Sequence, residues 1–249
     1  MSRALRLAVS WLTVLPVGAP VTVDRDTARR ALYWAPAVGA GLGVLAAGML
    51  TALHLLRMPA LLNGLLVVAM LAACTRAMHL DGLADTADGL GCYGAPQRAL
   101  DVMRDGSCGP FGVIALVVTL TTQAAALGVL GQTGRLIPVV LAMIAGRAAF
   151  SWCARQGVPA ARSTGLGALV AGSQPVAVPV AWLALLLAGG LPAVPGRPWQ
   201  APLAVAVAAL AVVALCAHTR RRFDGITGDV LGAASELTTT LIVTICAAA

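Results

Sequence analysis

Long apolar runs broken by short polar islands dominate the chain, and their lengths predict helices that cross a membrane. Residues 31–56, 59–78, 110–130, 136–152, 175–191 and 201–218 are nearly uncharged, and residues 230–247 make a weaker seventh run that contains Glu236. A span needs about 20 apolar residues to cross ~30 Å of hydrocarbon. Residues 5–16 are too short for that, and their flanking arginines predict an interfacial or re-entrant helix. The segment 153–174 is polar and glycine-rich and reads as a loop. The expected architecture is all-α: one polytopic membrane bundle over residues 1–249, with six or seven spans and short amphipathic helices.

Composition agrees with this pattern. Of 249 residues 59% are hydrophobic and 11% charged, with a mean hydropathy of +0.88, against about 25% charged residues in soluble domains. The apolar mass is Ala, Val, Leu and Gly, small residues that let spanning helices pack closely and that make self-association into a homo-oligomer an expectation. The net charge of +7 is carried by arginine alone. In a polytopic protein this reflects loop asymmetry, so no nucleic-acid partner is expected and the bilayer is. If the N-terminus is cytoplasmic, twelve arginines fall on that side (Arg3, Arg6, Arg25, Arg29, Arg30, Arg98, Arg104, Arg155, Arg162 and Arg220 to Arg222). Three, Arg57, Arg135 and Arg197, fall on the other. The bias predicts a multi-pass protein of the cell membrane with its polar loops in the cytoplasm. Six scattered cysteines without a CxxC pair predict neither zinc nor a disulfide framework.

Against this background one stretch stands out. Residues 76–112 hold five of the ten acidic residues: Asp81, Asp85, Asp88, Asp101 and Asp105. In HLDGLADTADGLG the first three stand at i, i+4 and i+7, within roughly 60° of one another on a helix of 3.6 residues per turn. Stacked carboxylates repel and call for a cation. Mg2+ is the natural one, since it takes carboxylate oxygens together with substrate phosphates. Gly82 and Gly89 would let a ligand approach the backbone. Arg98, Asp101 and Asp105 would share a second helical face, with Arg104 beside it. Arg76, Arg147 and Arg162 are candidate phosphate readers because their planar forks match phosphate oxygens. In DGITGDVLGAASE, Thr227 and Gly228 precede a helix start suited to anions, and Asp229 and Glu236 share one face. His79 is a candidate base or hydrogen-bond partner. Candidate metal ligands are therefore Asp81, Asp85, Asp88, Asp105, Asp229 and Glu236.

HLDGLADTADGLG, then MRDGSCGPFG and GITGDVLGAASE, resembles the cobalamin synthase family, the membrane adenosylcobinamide-GDP ribazoletransferases. WLTVLPV (11–17), GRAA (146–149) and ARSTGLG (161–167) match further family pieces in the expected order. The chain departs where the family carries K-D-S-R, having Arg104-Asp105-Gly106-Ser107, and where a second glutamate becomes Thr239. The resemblance implies Mg2+-dependent joining of adenosylcobinamide-GDP to alpha-ribazole, or its 5′-phosphate, with release of GMP. It also implies attack by the ribazole 5′-oxygen, with Asp81, Asp85, Asp88, His79 and Asp105 in the catalytic set. Two other readings compete on the residues alone. A CDP-alcohol-type phosphotransferase shares D-G-x2-A but needs an arginine where Asp85 stands. A cation or proton transporter would use intramembrane acids but commonly shows internal repeats, which this chain lacks.

Overall fold

In the computed structural model, which describes residues 2–18 and 22–248, eleven helices form and no strand does among the described residues. They are α1 (Arg3–Leu12), α2 (Arg25–Leu55), α3 (Ala60–Thr75), α4 (Met78–Gly91), α5 (Pro96–Val102) and α6 (Pro110–Gln132). They continue as α7 (Ile137–Cys153), α8 (Leu166–Val170), α9 (Ala177–Gly190), α10 (Gln200–Phe223) and α11 (Gly228–Ala247). All-helical membrane architecture is thus what the apolar pattern predicted.

Four of these helices, α2, α6, α10 and α11, are long and apolar enough to cross a membrane alone. The other three expected spans fall short individually. The apolar helices α7 and α9 have 17 and 14 residues, about 26 and 21 Å at 1.5 Å per residue. Helix α3 passes only together with α4, and that pair is bent by 93°.

Helix ends follow local chemistry. The Asp24 carboxylate accepts the Thr27 N–H at 2.7 Å and starts α2, an N-cap that satisfies one orphan donor. Pro110 occupies the first turn of α6 behind Gly109, where the missing N–H costs nothing. Arg76 and Ala77, both with φ above +50°, end α3 and turn the chain sharply into α4.

Helix α11 is the hub, packed against α4, α6, α7 and α10, while α2 pairs with α7 and α3 with α6. Small residues set the spacing: a side chain at Gly64 would collide with the Ala124 backbone, and one at Gly39 with Met143. Leu50, Val67, Leu127, Leu130, Val139 and Ile242 fill the centre. Val113, Val117 and Val118 on α6 and Leu203 and Leu210 on α10 face outward, as a hydrocarbon surround allows.

Candidate active site

The site forms where α4 crosses one end of the bundle, over the N-termini of α6 and α11. Bent by 93° from α3, α4 lies across that end of the bundle. The approach depends on a glycine: a Cβ at Gly82 would stand 2.8 Å from the Asp229 carbonyl oxygen. The first turn of α11, capped by the Thr227 hydroxyl on the Val230 N–H, therefore sits directly on α4.

A third segment arrives through backbone pairing. The Ala161 N–H donates to the Ile226 carbonyl at 2.9 Å, and the Ile226 N–H to the Pro159 carbonyl at 3.0 Å. This fixes Arg162, whose Nη2 donates to the Leu100 carbonyl at 2.7 Å and whose Nη1 stands 3.7 Å from Asp229 Oδ2. Three segments far apart in sequence thus bring Asp81, Asp85, Asp229, Thr227 and Arg162 together.

The carboxylates feel one another. Burial, then the charges of Asp81, Asp229 and Asp88, push the Asp85 carboxyl from 3.8 up to about 6, with Arg162 opposing. A carboxylate that titrates near neutrality is suited to accept a proton, and its repulsion by like charges is what a bound cation would relieve.

Asp88 has another role. It is buried, and its two oxygens accept the Gly109 N–H at 2.8 Å and the Gly112 N–H at 2.9 Å. A Cβ at either glycine would collide with that carboxylate. Asp88 therefore caps α6, where the helix dipole favours a negative charge. The glycine spacing of GSCGPFG was the signal for this seat, and sequence reasoning passed over Gly109 and Gly112.

Several expectations are corrected. Gly82 and Gly89 do not leave room for a ligand: the first admits the Asp229 backbone, and the second faces the Met103 side chain and the Phe223 ring. Helix α5 ends at Val102, so Asp105 leaves the helical face expected for it. It lies in an exposed turn, where the Ser107 hydroxyl donates to it at 2.8 Å. Arg104 is exposed nearby, its charge opposing that of Arg162.

Glu236 shares the Asp229 face but lies seven residues deeper, about 10 Å along the axis. There it is buried and accepts the Gln123 amide at 2.8 Å. Arg147 is buried in the same interior region, where Gln123, Arg147, Glu236 and Thr239 all line a cavity of about 20 Å³. Neither residue reaches the surface acids.

His79 stacks on Phe150 with ring centroids 5.7 Å apart and has no partner for either ring nitrogen. Burial, with the Arg147 charge behind it, lowers its proton affinity well below the ordinary histidine range. Arg76 donates to the Ser10 carbonyl at 3.0 Å, holding the end of α1.

Between α1, α2, α4, α8 and α11 lies a cavity of about 540 Å³, with Arg76, Asp81, Gly228 and Asp229 in its lining. Among the described residues no three His, Cys, Asp or Glu side chains converge closely enough to enclose a metal ion. Mg2+, however, is commonly held by one or two carboxylates and completed by substrate phosphates. The hard oxygen donors Asp81 and Asp229, which share that lining, fit that mode.

A family model described as cobalamin-5-phosphate synthase matches residues 4–247. Among similar proteins, the adenosylcobinamide-GDP ribazoletransferase of Nocardioides sp. (strain ATCC BAA-499 / JS614) is 46% identical over 237 residues, 95% of each chain. Those of Corynebacterium efficiens and Frankia casuarinae are 36% and 39% identical. They cover 100% and 96% of this chain and 92% of their own lengths. No solved structure matches the chain.

Proposed function

Because the chain belongs to the cobalamin-5-phosphate synthase family, we propose that it joins adenosylcobinamide-GDP to alpha-ribazole or its 5′-phosphate. The products are adenosylcobalamin or its 5′-phosphate and GMP. The observation that carries the site assignment is the convergence of Asp81, Asp85, Asp229 and Arg162 from three separate segments.

The bonds balance simply. The phosphorus linked to cobinamide exchanges its bond to GMP for one to a ribazole oxygen, and the hydroxyl proton goes to a carboxylate. The family's product name revises which oxygen that is. A cobalamin 5-phosphate retains the phosphate on the 5′-oxygen, so a ribose ring hydroxyl attacks, not the 5′-oxygen first expected. Asp85, titrating near 6, takes that proton. Arg162, held by the Leu100 carbonyl, faces the charge that develops on phosphoryl oxygens, where a preorganised donor contributes most. Asp81 and Asp229, which line one cavity, would hold Mg2+, leaving Asp85 to accept the proton. When bound, the ion would neutralise phosphate charge and favour in-line displacement.

The site faces the cytoplasm in this reading, supported by the twelve arginines on its side against three on the other. Purified protein in detergent should release GMP only when both substrates and Mg2+ are present. GMP release that persists in excess EDTA would overturn the metal assignment.

A further inference from the structure

We propose that the cavity beneath α1 seats the base of the ribazole substrate, leaving adenosylcobinamide-GDP on the outer face of α4. This rests on the two-substrate reaction above and adds which substrate lies where.

Size decides first. The cavity of about 540 Å³ lies within the roughly 300–1,000 Å³ that takes a drug-sized ligand. A benzimidazole riboside is of that size, whereas a corrinoid carrying GDP is several times larger.

Lining chemistry decides second. Trp11, Leu32, Phe150, Leu166, Leu169 and Leu231 make apolar and aromatic walls. Asp81 and Asp229 line the same space. This two-ended cavity fits a ligand with a planar apolar end and a hydroxyl-bearing end. Alpha-ribazole is such a molecule: its dimethylbenzimidazole has no exocyclic amine or carbonyl, and its ribose hydroxyls would reach the carboxylates. Besides the two carboxylates the polar side chains of the lining are Arg76, which already donates to the Ser10 and Trp11 carbonyls, and His79. These are too few partners for the ring nitrogens and exocyclic groups of a purine or pyrimidine, and unmatched groups lower affinity.

Closure decides third. Helix α1 buries Leu7 and Ala8 and exposes Arg3 on its other side. The Arg76 guanidinium holds the Ser10 and Trp11 carbonyls, so the end of α1 roofs the cavity.

Two substitutions test this at the roof and the mouth, neither at a side chain assigned to the metal or to proton transfer. Leu166 is 37% exposed, so Leu166→Trp narrows the cavity without cutting into the core. It should raise the KM for alpha-ribazole about tenfold while that for adenosylcobinamide-GDP stays within about twofold, a methylene-scale steric discrimination. Trp11→Ala removes an aromatic wall and should narrow the preference of the unaltered protein for alpha-ribazole over adenine alpha-riboside. Calorimetric titration with alpha-ribazole alone gives the same comparison without turnover, and Leu166→Trp should weaken that binding. If Leu166→Trp shifts the KM for adenosylcobinamide-GDP instead, or both equally, or neither, the cavity is not the base site. Failure of the unaltered protein to release GMP from both substrates with Mg2+ would instead sink the functional reading itself, a distinguishable result.

Discussion

Asp85→Asn should make the protein more stable and inactive at once. Its folded-state proton affinity is raised, from 3.8 to about 6, by burial and by the charges of Asp81, Asp229 and Asp88. The folded protein therefore binds more protons than the unfolded chain between those values, and loses stability as pH rises through them. At neutral pH the ionised carboxylate carries a penalty of about 3 kcal/mol at 1.36 kcal/mol per tenfold change in proton affinity. Asp85 is only partly buried, and solvent screening cuts this to about 1 kcal/mol. For a chain of this length that is a gain of about 2–4 °C in Tm for the neutral amide. Thermal unfolding in detergent would be followed by tryptophan fluorescence at neutral pH and towards pH 4. The gain should be full at neutral pH and should close on acidification, as the wild-type carboxyl protonates. Mg2+ should raise the wild-type Tm more than that of the variant, because an ion that binds the folded state stabilises it by mass action. A variant that melts lower than wild type at neutral pH, or a difference independent of pH, would refute the account of Asp85 as a repelled carboxylate. Turnover by the wild type should also fall as pH drops through about 6, since the base must be ionised.

Three other substitutions separate architecture from chemistry. Asp88→Ala removes the acceptor for the Gly109 and Gly112 N–H groups. It should cost about 0.5–2 kcal/mol, the usual range for a lost N-cap, read as a lower Tm with or without Mg2+. Gly82→Ala places a methyl 2.8 Å from the Asp229 carbonyl oxygen and should push α11 off α4, lowering Tm and kcat together; wild-type kcat would disprove the close approach. Glu236→Gln keeps a side chain that can meet Gln123 but removes the carboxylate charge near buried Arg147. It should lower Tm while leaving the Mg2+ concentration for half-maximal turnover unchanged, whereas a metal ligand at this position would shift it.

The apolar pattern made the bundle legible because membrane-crossing length is written directly into sequence. The convergence of Asp81, Asp85, Asp229 and Arg162 was legible, since surface acids and a loop arginine between uncharged runs have few packing reasons to exist. Depth was harder. Asp229 and Glu236 look equivalent on a helical wheel, yet one lies at the helix start and the other about two turns inside. Spacing reports angle, and only the placement of α4 across the end of α11 reports which turn meets the other acids. Asp88 was hidden for a related reason: its i+7 register with Asp81 suggested a shared ligand, but its partners are amides of a helix that begins 22 residues later.

The position of α4 also explains how so many carboxylates persist beside an apolar bundle. Two helix N-termini, those of α6 and α11, meet α4, and each presents amides and the positive end of its dipole. Asp88 takes the first pair of amides, and Asp229 occupies the first turn of the second helix beside its Thr227 cap. Arg162 offsets part of the remaining charge from the 159–162 strip. What is left over is Asp81 and Asp85, with Asp81 exposed beside the cavity and Asp85 raised to about 6. The scaffold thus neutralises the acids it needs for structure and leaves Asp81 and Asp85 uncompensated. This arrangement predicts that replacing Asp81 alters turnover far more than stability, the reverse of Asp88.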